Sequence, residues 1–227
     1  MQEPAPKFLE AAWRSVIQRA EAAAPGRPIE VLAVAKTRPA SAIRALACLG
    51  QRQFGENYVQ EALAKQRELA DLDLQWHLIG PLQSNKAREV AIHFDWLQTL
   101  DRIKLVEPLA RWRPVAATPL NVLIQVNIDD EPSKSGCVPD AIPALVAAVD
   151  AQPRLSLRGL MAIPAPVADP DARRAAFAHM RALFDSLRTT HAGIDTLSMG
   201  MSDDFDLAIA EGATMVRIGS LLFGARG

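Results

Sequence analysis

Two patterns near opposite ends of the sequence could carry chemistry. Lys36 ends the apolar run of residues 31–35, and a lysine that closes a buried strand is costly unless its amine is used. Burial would also favour the neutral, nucleophilic amine. The run at 215–218 leads into Gly219 and Ser220, a turn that suits a phosphate. An amine and a phosphate cradle at the edges of one sheet predict a pocket for a phosphorylated aldehyde, and pyridoxal phosphate is the first candidate.

Arg217 is an arginine within an apolar strand pattern, so it needs a partner inside the protein. With a pyridoxal ring nearby, Arg217 would donate to the pyridine nitrogen and hold it unprotonated. The ring would then be a poor electron sink. The alternative is a buried ion pair with an acid such as Glu211 or Asp206.

Three further residues favour a phosphate site. Ser202 precedes a helical pattern and predicts a helix N-cap whose hydroxyl and amides can face an anion. Gly219 would let the backbone approach closely, and Ser220 adds a hydroxyl. The alternative is a pair of ordinary helix caps, which the acids Asp203 and Asp204 slightly favour because they satisfy the helix dipole themselves.

The elements that must position these residues are eight short apolar runs alternating with helical patterns. The runs lie at residues 31–35, 52–55, 76–79, 96–99, 122–126, 159–163, 196–199 and 215–218. The helical patterns lie at residues 8–23, 39–48, 56–70, 84–93, 101–112, 138–150, 171–190 and 203–211. Several runs are continuously apolar, which is typical of strands buried on both faces. This order predicts an α/β fold, a single (β/α)8 TIM barrel.

The alternative fold is an open doubly wound sheet, which lacks support because no Gly-x-Gly-x-x-Gly turn follows the first run. Helix boundaries add detail to the barrel prediction. Ser84 predicts an N-cap, and Gly212 predicts the glycine that ends the last of these helices.

In a barrel, chemistry lies where strands end, and phosphate often binds at the loops after strands seven and eight. Asn57 follows the second strand, Asn127 ends the fifth and Met201 follows the seventh. His77 lies within the third strand, and its main interpretation is a core histidine with a satisfied ring rather than a catalytic group. Lys134 is interpreted as a solvated loop residue.

Bulk properties exclude several classes of function. The chain has 227 residues, 49% of them hydrophobic, which suits one domain over residues 1–227. A net charge of -1 gives no electrostatic footprint for nucleic acid, and no apolar run is long enough to span a membrane. Cys48 and Cys137 have no metal-site spacing, so reduced thiols and a cytoplasmic location are expected. A monomer is a separate expectation.

Several segments together resemble the YggS/PROSC family of pyridoxal phosphate homeostasis proteins, whose barrel is like the N-terminal domain of alanine racemase. The resemblance covers nearly the whole chain. It is carried by LAVAKT at 32–37, FGENYVQE at 54–61, WHLIGPLQSNK at 76–86, GLM at 159–161, SMGMSDD at 198–204, MVRIGS at 215–220 and FGAR at 223–226. The departures are conservative: Ala35 stands where serine is frequent, and Ser220 where threonine is frequent.

The resemblance implies roles for particular residues. Lys36 would form the Schiff base with pyridoxal phosphate, and Arg217 would face the pyridine nitrogen. Asn57 and Met201 would lie beside the cofactor. The phosphate would be held by Ser202, Gly219 and Ser220. The family is thought to buffer pyridoxal phosphate and deliver it to apo-enzymes rather than turn over a substrate.

Two enzyme functions stay open as alternatives. A racemase-like enzyme needs a second acid/base group opposite the lysine, and Tyr58 is the only tyrosine in the chain. The sequence ends soon after the eighth strand, so we expect no further domain to supply that group. A class I aldolase also uses a lysine in a barrel, but on a late strand, whereas Lys36 follows the first.

Overall fold

Strands and helices alternate along the chain in the computed structural model, which describes residues 6–129, 131, 135–165 and 169–224. The strands are β1 Glu30–Val34, β2 Gln53–Glu56, β3 Gln75–Leu78, β4 Trp96–Leu100, β5 Leu120–Val126, β6 Leu155–Ala162, β7 Thr196–Met201 and β8 Met215–Ile218. The helices are α1 Pro6–Ala23, α2 Ala40–Cys48, α3 Val59–Glu68, α4 Ala87–His93, α5 Val106–Trp112, α6 Ile142–Asp150, α7 Pro170–Thr190, α8 Phe205–Ala210 and α9 Ser220–Phe223.

These strands run parallel and close into a barrel in chain order, with β1 pairing with both β2 and β8. The closed barrel confirms the (β/α)8 prediction and rules out the open doubly wound sheet. Every residue of β4 and β8 is buried. Strands of this kind are rich in apolar side chains on both faces, which is why these two appear in the sequence as mainly apolar runs, with Gln98, Thr99 and Arg217 as buried polar exceptions.

The main apolar core lies between the outer face of the barrel and the surrounding helices. Phe54 of β2, Phe177 of α7 and Phe205 of α8 are fully buried in it. Complete burial of a side chain of this size contributes about 1.5–3 kcal/mol of transfer free energy. This layer therefore holds the helices against the barrel and keeps the strand ends in register.

The barrel interior contains separate, smaller apolar clusters. One is formed by Leu32, Ile79 and Met215, with Val34 packed against it. The other is formed by Trp96, Leu123 and Met161. The polar side chains of the interior are buried as well, and they converge on the site described below.

Some predicted helix boundaries are wrong. Ser84 is the first residue of a 3-10 turn that precedes α4, and Gln83 occupies the cap position. The cap residue of α8 is Asp204 rather than Ser202. Gly212 is confirmed, because it follows the cap residue of α8 and has a φ of +101°.

Two further features are the length of the described helices and the burial of the two cysteines. No helix within the described ranges is long and apolar enough to cross a membrane. Cys48 is an exposed free thiol and Cys137 a buried one. Burial raises the pKa of the Cys137 thiol to about 11, so it is protonated and unreactive at neutral pH.

Candidate functional site

A cavity of about 320 Å³ opens where the strands of the barrel end. Its lining includes all seven residues that the sequence nominated for the cofactor: Lys36, Asn57, Met201, Ser202, Arg217, Gly219 and Ser220. It also includes residues that the sequence analysis did not assign to the cofactor: Val34, Arg38, Ile79, Ile163, Asp203 and Gly224. A volume of this size suits a cofactor or another small molecule.

The sequence predicted that Lys36 closes β1, but Lys36 lies beyond the end of this strand. The strand ends at Val34, and Lys36 occupies the turn that follows Ala35. Its side chain is partly buried rather than fully enclosed. The turn places Lys36 in the lining of the cavity.

The turns after β7 and β8 meet at one side of the cavity. The hydroxyl of Ser202 accepts a hydrogen bond from the backbone N–H of Leu221 at 3.4 Å. This contact brings Ser202 next to Gly219 and Ser220, although Ser202 is not the N-cap that the sequence predicted. Hydroxyl and backbone groups therefore converge from two loops, as a phosphate site requires.

The acids after Ser202 play different parts. Asp204 accepts a hydrogen bond from the backbone N–H of Met201 at 2.7 Å and forms an ion pair with Arg173 of α7. Its carboxylate is thus committed to holding the turn. Asp203 lines the cavity and is exposed to solvent.

A bulge in β7 sets the position of Met201. The pairing register between β7 and β8 shifts after Ser198, and Met201 then lies opposite Arg217. Gly200 has a φ of +89°, and an added Cβ would lie 2.5 Å from the Cβ of Ala208. Only glycine fits here, so the bulge and the exposed position of Met201 at the cavity depend on it.

Arg217 is buried inside the barrel, but not in an ion pair. Its Nη1 donates to the Ser198 hydroxyl at 2.7 Å, and its Nη2 donates to the Ala162 carbonyl at 2.8 Å. The predicted alternative partners lie elsewhere, since Glu211 pairs with Arg174 and Asp206 with Arg19. Burial lowers the pKa of Arg217 to about 10, which leaves the guanidinium charged at neutral pH.

A directed chain of hydrogen bonds continues from Arg217. Ser198 donates to Gln98 Oε1 at 2.7 Å, and Gln98 Nε2 faces His77 Nδ1 at 3.0 Å. Arginine can only donate, so each group along the chain accepts from one neighbour and donates to the next. His77 Nδ1 must therefore accept, which makes the ring neutral with its proton on Nε2.

His77 is the end of this chain rather than a catalytic group. Its ring is fully buried and stacks on Trp96 at a centroid distance of 5.1 Å. The prediction of a satisfied ring is only half right, because Nε2 has no hydrogen-bond partner among the described residues. Burial lowers the pKa of His77 to about 3.

The pKa of His77 gives the unfolding free energy a definite dependence on pH. Below pH 6.5 the unfolded chain protonates this histidine, whereas the folded chain does so only near pH 3. The unfolding free energy should therefore fall as pH falls, by about 1.4 kcal/mol per pH unit between these values. Urea unfolding of the unaltered chain and of His77→Gln at pH 7.5 and pH 5.5 measures this slope. The contributions of the carboxylates, which both proteins share, cancel in the comparison. If the unfolding free energies of the two proteins change equally with pH, His77 in the folded chain is protonated at pH 5.5 to the same extent as in the unfolded chain.

Asn57 is held at the cavity by close packing against Gly80. A Cβ added at Gly80 would lie 2.2 Å from the carbonyl oxygen of Asn57. Thr99 fixes Gly80 in turn, because its hydroxyl donates to the Gly80 carbonyl at 2.8 Å. The loops after β2 and β3 are therefore locked together at the cavity rim.

Other residues considered in the sequence analysis lie away from the cavity or outside the described residues. Asn127 Nδ2 donates to the carbonyl of Glu131, and Asn127 is not part of the lining. Lys134 and the segment 225–226 lie outside the described residues. Ser198 and Gln98 were missed, because each appears in the sequence as an uncharged polar residue within a mainly apolar strand.

The chain is similar to proteins of known family. The family model for the alanine racemase N-terminal domain matches residues 10–227. The pyridoxal phosphate homeostasis protein of Pseudomonas aeruginosa is 57% identical over 198 residues, which cover 87% of this chain and 85% of the relative.

Solved structures agree with this assignment. PipY of Synechococcus elongatus, with pyridoxal phosphate bound, is 38% identical with a TM-score of 0.85, over 95% of this chain and 100% of that chain. The alanine racemase of Corynebacterium glutamicum, at 18% identity and a TM-score of 0.73 over 97% of this chain and 62% of that chain, shares the fold. The chain therefore belongs to the family of pyridoxal phosphate homeostasis proteins, within the alanine racemase N-terminal domain family.

Proposed function

We propose that this chain binds pyridoxal phosphate covalently through Lys36 and acts in the homeostasis of this cofactor, with no or negligible turnover. One observation carries the proposal: a lysine, a buried arginine and a glycine–serine turn line a single cavity. The names of the curated relatives and the pyridoxal phosphate bound to PipY support it.

The residues at the cavity fit the chemical groups of this cofactor. Lys36 offers an amine to the aldehyde, and Arg217 offers a buried donor to the ring nitrogen. Ser202, Gly219 and Ser220 surround the place for the phosphate, with Asn57 and Met201 beside the ring. The described lining has three cationic side chains, with Arg38 as the third, against the single carboxylate of Asp203, which suits a phosphate dianion.

Arg217 limits the chemistry of this site. When bound, pyridoxal phosphate supplies an electrophilic aldehyde and an electron-accepting ring. Arg217 remains charged at neutral pH and is held as a donor by Ser198 and Ala162. A donor of this kind opposes protonation of the ring nitrogen and so weakens the ring as an electron acceptor. Alanine racemases also place an arginine there, so this feature alone does not decide between binding protein and enzyme.

The racemase-like alternative needs a second acid/base group at the cavity. Tyr58, the candidate from the sequence, is 64% exposed at the start of α3 and is not part of the lining. Within the described lining there is no tyrosine, histidine or cysteine, and Asp203 lies in the turn assigned to the phosphate. A carrier function therefore accounts for the cavity better than catalysis at an amino acid.

The proposal also covers the location, oligomeric state and partners of the chain. We expect a cytoplasmic monomer whose partners are apo-enzymes that require pyridoxal phosphate. The net charge of -1 agrees with a protein that binds neither nucleic acid nor anionic membranes.

The proposed function predicts cofactor transfer without turnover. The protein is loaded with pyridoxal phosphate, freed of excess and mixed with a pyridoxal-dependent apo-enzyme, whose recovered activity measures the transfer. In parallel, L- or D-alanine, serine and lysine are incubated with the loaded protein, and the enantiomers are separated by chiral chromatography. Transfer is expected. Racemisation is expected to stay at the level of free cofactor, because the lack of a positioned acid/base group costs roughly 10²- to 10⁴-fold in rate.

The control for both assays is Lys36→Ala, which should carry no covalent cofactor. Racemisation that exceeds free cofactor and disappears in Lys36→Ala would overturn the carrier function in favour of the racemase-like enzyme. Asp203→Asn would then test whether Asp203 is the missing acid/base group.

A further inference from the structure

Lys65 is a buried lysine that lies outside the cavity. It is on α3 and 6% exposed. Its amine donates to the Ala35 carbonyl at 2.8 Å and to the carboxylates of Glu56 and Glu61, each at 2.6 Å. A lysine is seldom buried unless its charge is paired and its donors are used. These acceptors therefore make Lys65 the centre of a built cluster beside the end of β1.

Thr37, directly after Lys36, has an unusual backbone conformation. Its φ is +64°, in the left-handed region that β-branched residues avoid. Its backbone N–H donates to Glu61 Oε1 at 2.6 Å, the same oxygen that accepts from Lys65. This carboxylate therefore stabilises a turn that threonine would not adopt by itself.

Lys65 and Glu61 together hold both peptide groups that flank Lys36. The carbonyl bound by Lys65 belongs to the peptide group between Ala35 and Lys36. The N–H bound by Glu61 belongs to the peptide group between Lys36 and Thr37. Because peptide groups are planar, fixing both of them fixes the direction in which the Lys36 side chain leaves the backbone.

Glu56 anchors this pair to the barrel. It lies on β2, its side chain is fully buried, and it shares the Lys65 amine with Glu61. One positive charge serves both carboxylates, and burial raises the pKa of Glu56 to about 7. The cluster thus connects β1, β2 and α3 around the turn that carries Lys36.

We propose that Lys65 and Glu61 are positioning residues that aim the Lys36 amine at the aldehyde carbon of the cofactor. This rests on the proposed function of Lys36. Lys36 Nζ forms a C=N bond to that carbon, and the aldehyde oxygen leaves as water with the amine protons. The pair acts on this bond alone, since neither residue lines the cavity where ring and phosphate would lie.

The test compares pyridoxal 5′-phosphate with pyridoxamine 5′-phosphate, which has an amine in place of the aldehyde and cannot bond to a lysine. Glu61→Ala removes the acceptor of the Thr37 amide and leaves Lys65 paired with Glu56, so the buried charge keeps a partner. The Kd for pyridoxal phosphate should rise roughly 10- to 100-fold, because a misdirected amine loses part of the effective molarity that favours the covalent bond. The Kd for pyridoxamine phosphate should change less than about 2-fold.

Matched variants distinguish an effect on the direction of the Lys36 side chain from a general loss of protein stability. Glu89→Ala is the control, since Glu89 also pairs with a lysine and has a side-chain exposure of 30%, close to the 28% of Glu61. It should leave both ligands unaffected. Glu61→Gln keeps an oxygen for the Thr37 amide and should restore most of the pyridoxal phosphate affinity. Lys65→Met should repeat the Glu61→Ala pattern if it folds.

The possible outcomes decide between positioning and general structure. Selective loss of pyridoxal phosphate with rescue by Glu61→Gln supports the proposal. Equal weakening of both ligands by Glu61→Ala, or no change in either, overturns it while the proposed function stands. Failure of the unaltered chain to bind either ligand removes the proposed function itself, and the inference with it.

Discussion

Lys36→Ala is expected to fold and to lose the covalent attachment of pyridoxal phosphate completely. Lys36 is the only lysine in the described lining of the cavity, so no other described amine can reach the aldehyde in the same place. The visible absorption band of the bound cofactor should disappear. Borohydride reduction followed by peptide mapping should find the cofactor mass on the Lys36 peptide of the unaltered protein and on no peptide of the variant.

Lys104→Ala is the matched control, because Lys104 is an exposed lysine of a 3-10 turn outside the cavity. It should retain both the band and the labelled peptide. Pyridoxamine phosphate should still bind to Lys36→Ala, because the phosphate and ring contacts remain. A band that persists in Lys36→Ala, with a different lysine labelled, would show that the covalent site is assigned wrongly.

The fold was predictable because its strands are buried on both faces. Such strands appear as short apolar runs, and β4 and β8 were located within a residue of their observed ends. Helix starts were less predictable. Ser84 and Ser202 have the residue type of an N-cap, but Ser84 begins a 3-10 turn, and the Ser202 hydroxyl accepts from the backbone N–H of Leu221, beyond β8.

The candidate site was predictable where its residues follow strand ends, and at Arg217, a charged residue within an apolar strand. Lys36, Asn57, Ser202 and Gly219 all follow strand ends, and a barrel brings strand ends together. The partners of Arg217 were not predictable in this way. Ser198 belongs to a different strand, and its contact with Arg217 depends on the pairing of β7 with β8, in which Ser198 lies opposite Met215, a register that no local pattern in the sequence reveals.

The cluster around Lys65 shows the same limit more clearly. In the sequence Lys65 lies four residues after Glu61 on a helical pattern, which ordinarily indicates a solvent-exposed ion pair. Its burial follows from the approach of α3 to the ends of β1 and β2, where the Ala35 carbonyl and Glu56 lie. A charged pair of this kind becomes informative only when the backbone groups that it holds are known.

Gly219→Leu is expected to weaken pyridoxal phosphate far more than pyridoxal. In the protein alone a Cβ at this position would meet only Val34, at an ordinary contact distance of 3.5 Å, and the backbone is not left-handed. The chain should therefore fold with the substitution. A side chain there would occupy the phosphate cradle and separate the anion from the turns after β7 and β8. Loss of a hydrogen bond to a charged group raises Kd roughly 10- to 100-fold.

The measurement is the Kd of each ligand by absorption titration, since pyridoxal has the aldehyde but lacks the phosphate. Its Kd should change less than about 3-fold, because its bond to Lys36 does not depend on the cradle. Gly193→Leu is the control, at another unstrained glycine whose added Cβ would meet only the Leu157 carbonyl, at 3.8 Å. If Gly219→Leu weakens pyridoxal and pyridoxal phosphate equally, the anion does not lie at this turn. The convergence of Ser202 with Gly219 and Ser220 would then be a contact between loops and nothing more.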